Sequence, residues 1–127
     1  MADAHILIKG NTAQIGLPGG LPVHVKAKTS SRFIQTVKVT SADGSVDLRF
    51  TGSGERVSIG DATITGQSQI TATFEYNDSD GTTRPSALRS GGPYQIGSYN
   101  LMVVVAENGD DTDYNDSLLE FSWHTPR

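Results

Sequence analysis

The residues most able to do chemistry lie in one short acidic segment, residues 107–116, which reads Glu-Asn-Gly-Asp-Asp-Thr-Asp-Tyr-Asn-Asp. Five of the fourteen acidic residues of the chain fall within these ten positions, and no lysine or arginine accompanies them. Two carboxylates held within about 4 Å repel each other by roughly 4 kcal/mol at an effective dielectric constant near 20. The segment therefore needs a counterion, and a divalent cation is the obvious candidate.

The donor atoms of the acidic segment favour calcium. The chain has no cysteine and the segment has no histidine, so a metal bound there must be held by oxygen atoms. A glycine-containing loop suits the loose shell of roughly six to eight oxygens around calcium better than the strict octahedron of magnesium. These donors would saturate one calcium ion, or neutralise two ions that share bridging carboxylates and take further oxygens from backbone, water, a partner chain or a ligand. The candidate ligands are Glu107, Asp111, Asp113, Asn115 and Asp116.

The alternatives to this calcium site are an EF-hand loop and an acidic hairpin without an ion. Asp111, Asp113 and Asn115 match the first, third and fifth ligand positions of an EF-hand loop. Asp116, however, stands where that loop needs glycine, and Ser122 stands where it needs a bidentate glutamate, so an EF-hand is rejected. A solvated acidic hairpin without an ion is the second alternative, and we interpret the acidic turn at residues 77–81 in that way.

The elements that hold these residues are predicted to be β-strands, because no segment shows a helical period and several runs alternate or are β-branched. Turn sequences at residues 18–20, 43–44, 52–54, 60–61, 80–81 and 91–93 separate the runs. The pattern predicts an all-β, antiparallel Greek-key sandwich, and 127 residues predict a single domain over residues 1–127. The predicted strands are residues 5–9, 23–28, 36–40, 46–50, 56–59, 70–76, 99–105 and 118–123.

Alternation within the runs predicts which side chains are buried. Val23, Val25 and Ala27 are expected to face the core, with the basic residues between them in solvent. The run at residues 101–105 is continuously apolar, as expected of a strand covered on both sides or of one that faces a partner subunit.

The composition excludes several function classes. A net charge of −4 gives no reason to expect nucleic-acid binding, and no apolar stretch is long enough to enter a membrane. The start of the sequence lacks the pattern of a secretory signal, so we expect a soluble protein made in the cytoplasm, with export or association with the cell surface by another route left open. No histidine, serine or carboxylate pair has the spacing of a catalytic site, so we predict no enzyme.

The acidic segment and the strand after it resemble the fucose-binding lectin II family, soluble bacterial lectins that bind fucose and mannose through two calcium ions. The resemblance lies in residues 107–123, where the acidic segment ends in Asp-Tyr-Asn-Asp and leads into an apolar strand that ends at Trp123. A second similarity is Leu17-Pro18 followed by the sequence Gln-Thr-Val-Lys-Val at residues 35–39.

The resemblance implies a sandwich of about nine strands that assembles as a homodimer or homotetramer. It implies that the chain binds two calcium ions, with one ion as the minimum. Bound calcium would coordinate vicinal hydroxyls of a monosaccharide or glycoconjugate directly. Carried over by position, the ligands of one ion would be Glu107, Asp111, Asp113 and Asp116, and those of the other Asp113, Asn115 and Asp116. Asn108, Asp110 and Asp111 would lie beside the sugar.

The chain departs from the family pattern at two places. A gapless alignment from Leu17 places Ser30 where the family has an asparagine ligand, so a weaker ligand or a shifted loop is expected there. The segment from Thr29 to Phe33 corresponds to the family's sugar-specificity segment, with Ser30, Ser31 and Arg32 as its candidate sugar contacts. The chain also ends one residue further beyond its tryptophan than the family, whose terminal carboxylate serves a neighbouring subunit, so the second ion, the dimer contact or both are expected to differ. Arg32 either binds an anionic sugar group or points into solvent. The expected function is a calcium-dependent lectin for a fucose- or mannose-type sugar or a related acidic one; the alternative is a structural or interaction module in which calcium only stabilises the loop or a subunit interface.

Overall fold

The computed structural model describes residues 4–77, 80–107 and 116–125, and this part of the chain forms nine β-strands and no helix. Every pairing between these strands is antiparallel, which confirms the predicted fold class. None of the described elements is a helix that could span a membrane. The strands are β1 (His5–Lys9), β2 (Thr12–Gly16), β3 (Pro22–Ser41), β4 (Asp47–Thr65), β5 (Ile70–Asn77), β6 (Thr83–Pro85), β7 (Ala87–Ile96), β8 (Tyr99–Glu107) and β9 (Ser117–His124).

The strands lie in the order β1-β2-β5-β3-β9-β8-β7, with β4 paired to β3 and β6 paired to β5. Neighbours such as β2 and β5, or β3 and β9, are far apart in sequence, as Greek-key connections require. β1 and β7, at the two ends of this order, also come into contact, so the sheet curls back until it is nearly closed.

The long strand β3 connects the two halves of this curled sheet. Its first half pairs with β9 between His24 and Thr29, and its second half pairs with β5 between Gln35 and Ser41. Between the halves, the register against β4 shifts at several points. Such irregularities let a strand bend and pass from one sheet to the other. We call residues 30–34, where this happens, the β3 corner.

Several predicted turns are in fact parts of strands. The glycine-rich sequences at residues 52–54 and 60–61 lie inside β4, and residues 91–93 lie inside β7. Gly54 and Gly60 have φ angles of +125° and +153°, a backbone conformation that a bulge requires as readily as a chain reversal does. Strand β4 therefore includes the runs predicted at 46–50 and 56–59. Strand β3 likewise includes both the run predicted at 23–28 and the one predicted at 36–40. The short or polar strands β2, β6 and β7 were not predicted.

The core confirms the predicted alternation. Val23, Val25 and Ala27 are fully buried while His24 between them is exposed, and the same holds further along β3. On β8, Met102 and Val104 face inward with no exposure, whereas the residues that alternate with them are only half-buried. A strand covered on both faces by its own chain would not alternate in this way, so the partner subunit remains the prediction for the apolar run at residues 101–105.

Candidate functional site

The two ends of the acidic segment are held together where β8 ends and β9 begins. Glu107 is the last residue of β8, and Asp116 immediately precedes β9. The Asp116 amide donates to the Ala106 carbonyl over 3.1 Å, and Ala106 pairs with Ser117, so the ladder of the two strands continues to the base of the segment. Glu107 is 5% exposed and Asp116 is 3% exposed. Two of the predicted calcium ligands are thus buried acids at the two ends of the acidic segment, where it joins β8 and β9.

The other predicted residues of the acidic segment lie outside the described part of the chain. This applies to the remaining predicted calcium ligands and to the predicted sugar contacts on the same segment. Their roles stay predictions. The residues are Asn108, Asp110, Asp111, Asp113 and Asn115.

The β3 corner lies directly against the base of the acidic segment. The Asp116 carbonyl accepts two hydrogen bonds, one from the Ser30 amide over 3.1 Å and one from the Thr29 hydroxyl over 2.5 Å. Asp116 is 87 positions from Thr29 in the sequence, so only the tertiary fold brings them together. The Ser30 hydroxyl in turn accepts from the Arg56 amide of β4 over 3.3 Å. The structure therefore brings Ser30, a predicted sugar contact, beside the predicted ligand Asp116.

Ser31 and Arg32 occupy different environments within the corner. Ser31 is 8% exposed, and its hydroxyl accepts from the Phe33 amide over 3.1 Å. Arg32 is exposed, with its guanidinium carbon 5.0 Å from the centre of the Phe33 ring. That ring stacks on Tyr76 with 5.9 Å between ring centres. A cation over an aromatic face is attracted by the ring quadrupole, so this stack restricts where the guanidinium lies.

One buried residue of the site was missed by the sequence reasoning. Gln35 is 0% exposed, and its amide joins the corner to the start of β9. Its oxygen accepts from the Ser117 hydroxyl over 2.9 Å, and its nitrogen donates to the Phe33 carbonyl over 3.2 Å. A signal was present, because Gln35 is in phase with the inward-facing Val37 and Val39. A polar side chain in that phase must be hydrogen-bonded inside the protein.

The described donors of the site suit calcium in kind. Glu107 and Asp116 offer carboxylate oxygens, which calcium prefers, in a buried setting where like charges are poorly screened. Within residues 4–77, 80–107 and 116–125 no group of three or more histidine, aspartate or glutamate side chains is placed to hold a metal. The described residues alone therefore do not make up a complete calcium shell.

The chain was compared with protein families, curated proteins and solved structures. The sequence matches the model of the fucose-binding lectin II (PA-IIL) family over residues 15–125. No curated protein matches it.

Similar solved structures are lectins. They include the high-affinity mannose-binding lectin of Ralstonia solanacearum, at 25% identity and a TM-score of 0.71. The C-terminal domain of the BC2L-C lectin from Burkholderia cenocepacia is similar at 24% identity and a TM-score of 0.73. The lectin CV2L of Chromobacterium violaceum, solved with alpha-methyl-fucoside, is similar at 24% identity and 0.71. Each match covers 94% of this chain and 100% of the solved one. At 24% identity the last two show a common fold alone.

Proposed function

Because the chain belongs to the fucose-binding lectin II family, we propose that it is a calcium-dependent lectin whose acidic segment holds the ions that bind a monosaccharide. The observation that carries the proposal is the family match over residues 15–125, which includes the whole acidic segment and the β3 corner. The buried acids at the base of the segment support it, because they are the donor type that calcium takes.

In this proposal the ligands of one calcium ion are Glu107, Asp111, Asp113 and Asp116, and those of a second are Asp113, Asn115 and Asp116. Bound calcium would supply positive charge and open coordination positions for vicinal sugar hydroxyls. Asn108, Asp110, Asp111, Ser30 and Ser31 are proposed to hydrogen-bond the sugar. The strand ladder at Ala106 and the two bonds to the Asp116 carbonyl fix the main chain at one end of the segment before any ligand arrives. Such preorganisation reduces the entropy lost on binding.

The proposed sugar is a fucose- or mannose-type monosaccharide, free or at the end of a glycoconjugate, or a related acidic sugar. Arg32 supports the acidic alternative, since its guanidinium lies over Phe33 at the exposed surface of the corner. A planar guanidinium held in this way can form two parallel hydrogen bonds with a carboxylate.

We also propose that the protein works as a homodimer or homotetramer and catalyses no reaction. The outer face of β8 supports a partner subunit, because half-buried Leu101, Val103 and Val105 lie on it together with Tyr99, which is 39% exposed. The family and the compared structures are lectins, which supports binding without turnover. Light scattering after gel filtration measures the assembly, and a monomer at micromolar concentration would contradict that part of the proposal.

Calorimetric titration of methyl α-fucoside and methyl α-mannoside, with excess calcium and with excess chelator, tests the function. We expect binding of at least one sugar in calcium and none in chelator. Sugar binding that persists after complete removal of calcium would contradict the mechanism. Calcium-dependent melting with no response on a broad glycan array would instead support a structural or interaction module.

Asp113→Ala tests the proposed bridging ligand. At a free calcium concentration 100 times the dissociation constant, calcium stabilises the folded protein by about 2.7 kcal/mol. The variant is expected to lose that stabilisation, while Asp80→Ala, in the other acidic turn, keeps it. A calcium-induced melting shift in Asp113→Ala equal to that of the unmodified protein would remove Asp113 from the ligand set.

A further inference from the structure

The amide of Gln35 connects the two halves of the curled sheet at the end of the fold where the proposed site lies. Gln35 begins the part of β3 that pairs with β5, whereas Ser117 begins β9, which pairs with the first half of β3. The bond between them spans 82 positions of sequence and lies in the buried interior. The second bond of the same amide, to the Phe33 carbonyl, stays within the β3 corner.

Both partners of Gln35 adjoin residues of the proposed site. Ser117 follows Asp116, a proposed calcium ligand, and Phe33 follows Arg32, a proposed sugar contact. The Asp116 main chain is also held from the other side by Thr29 and Ser30. The base of the acidic segment is therefore fixed between two groups of hydrogen bonds, both of which originate in β3.

The position of Gln35 is fully buried, so an apolar side chain would be as suitable there as the amide. The next inward positions on β3 are Val37 and Val39, and both have no exposure. An amide that is transferred from water to the interior loses its hydration, and its hydrogen bonds return little net stability. What the amide adds over valine is a directional link between the corner and the first residue of β9.

We propose that Gln35 is a positioning residue that couples calcium binding at Asp116 to sugar selection by residues 30–32. The inference rests on the proposed function and deepens it. Without the amide, Ser117 and Phe33 lose a common partner, and only the bonds from Thr29 and Ser30 to the Asp116 carbonyl still join the base of the acidic segment to β3. Groups that hydrogen-bond a metal ligand directly change metal affinity by about 10- to 100-fold when they are removed. Gln35 acts one residue further away, through Ser117, so we expect calcium affinity to fall by about 10-fold, the lower end of that range. We also expect the ratio of the fucoside affinity to the mannoside affinity to move towards one.

The experiment compares Gln35→Met, Ser117→Ala and the double variant with the unmodified full chain. Methionine has a similar length and no hydrogen-bonding amide. Calcium chloride is titrated by calorimetry, and methyl α-fucoside and methyl α-mannoside are then titrated at saturating calcium. Each single variant should bind calcium more weakly. The double variant should be no weaker than Gln35→Met, because Gln35→Met already removes the bond that Ser117→Ala removes.

Val37→Ala is the matched control. It makes a cavity at the next fully buried position of β3 and should lower the melting temperature without calcium. If Gln35 positions the site, this control keeps both the calcium affinity and the ratio of the two sugar affinities. A loss of calcium affinity in Val37→Ala that matches its loss of stability would overturn the proposal, because general destabilisation would then explain the effect.

The remaining outcomes also decide the question. Unchanged calcium affinity and unchanged sugar ratio in Gln35→Met would contradict the positioning role while leaving the lectin function standing. If the unmodified protein binds no calcium, the proposed function fails and this inference fails with it. If Gln35→Met does not fold, Ser117→Ala decides alone, since it removes the same bond from the surface of β9 that faces the amide.

Discussion

The turn around Asp43 and the base of the acidic segment place their carboxylates in opposite environments. Asp43, in the turn between β3 and β4, is exposed, and one of its oxygens accepts from the Ser41 hydroxyl over 2.7 Å and from the Ser45 amide over 3.0 Å. These hydrogen bonds, first the one from Ser41, lower the pKa of Asp43 from its ordinary 3.8 to about 2. Asp116 and Glu107, at the base of the acidic segment, are instead almost completely buried.

The comparison shows that a carboxylate can be accommodated either by local donors and water or by burial in the fold. The turn around Asp43 supplies hydroxyl and amide donors from its own residues, and water reaches the carboxylate, so its charge needs no cation. The acidic segment has no basic residue in its sequence, and the fold buries the two carboxylates at its base. Burial of like charges is costly unless they are compensated, and a bound dication is one way in which proteins compensate them.

The largest effect is expected from the same neutral substitution in both turns. Asp116→Asn should remove most of the calcium-induced stabilisation, which is about 2.7 kcal/mol at 100 times the dissociation constant, because amide oxygen is a neutral and weaker ligand. Asp43→Asn should leave it intact. Thermal unfolding in chelator and in millimolar calcium measures both variants. Equal calcium responses in the two would remove the distinction between the turns.

Local patterns predicted much of this fold, and tertiary pairing decided the rest. The alternation of Val23 and Val25 with polar residues is a property of the strand itself, so it could be predicted. Gly54 and Gly60 adopt positive φ in bulges within a strand, and a sequence cannot distinguish that use from a turn. For this reason, the bent strand β4 was predicted as two straight strands.

The candidate site could be predicted in its composition and not in its connections. The acidic segment is a cluster in sequence, so its donor chemistry was visible without a structure. Alignment also placed Ser30 in the sugar-selecting segment, and the structure brings Ser30 against Asp116. The partner of Gln35 is 82 positions away, and no local pattern shows which residue an inward amide will meet. The sequence therefore predicted the acidic segment and the sugar-selecting segment, but not the Gln35 side chain that connects them.

An intermediate effect is expected at the exposed surface of the corner. Arg32→Ala should change the preference between acidic and neutral sugars by about fivefold, which corresponds to roughly 1 kcal/mol for an exposed charge-assisted contact. Calcium affinity should not change, because Arg32 is a cation over the Phe33 ring and is not a proposed calcium ligand. Titrations of galacturonate and of methyl α-mannoside measure the preference. Arg49→Ala, an exposed arginine on β4, is the matched control. An unchanged preference in Arg32→Ala would mean that the guanidinium only covers Phe33.

The smallest effect concerns the turn that needs no metal. The folded-state pKa of Asp43 lies below its ordinary value, so the ionised carboxylate contributes stability that is present above about pH 4. That contribution is lost as the pH falls through about 2. Ser41→Ala removes the largest cause of the shift and should raise the pKa of Asp43 towards 3.8, which an NMR titration of its carboxyl carbon measures.

The same Ser41→Ala variant sharpens the contrast between the turns. Its melting temperature should change with pH in the acid range in a different way from that of the unmodified protein. At neutral pH, the two proteins should show the same shift in melting temperature on addition of calcium. A calcium response that moved with Ser41 would mean that the two ends of β3 are coupled along the strand. In that case the separation of a self-satisfied turn from a metal-dependent one would not hold, because the register of β3 would transmit a change from Ser41 to the corner beside Asp116.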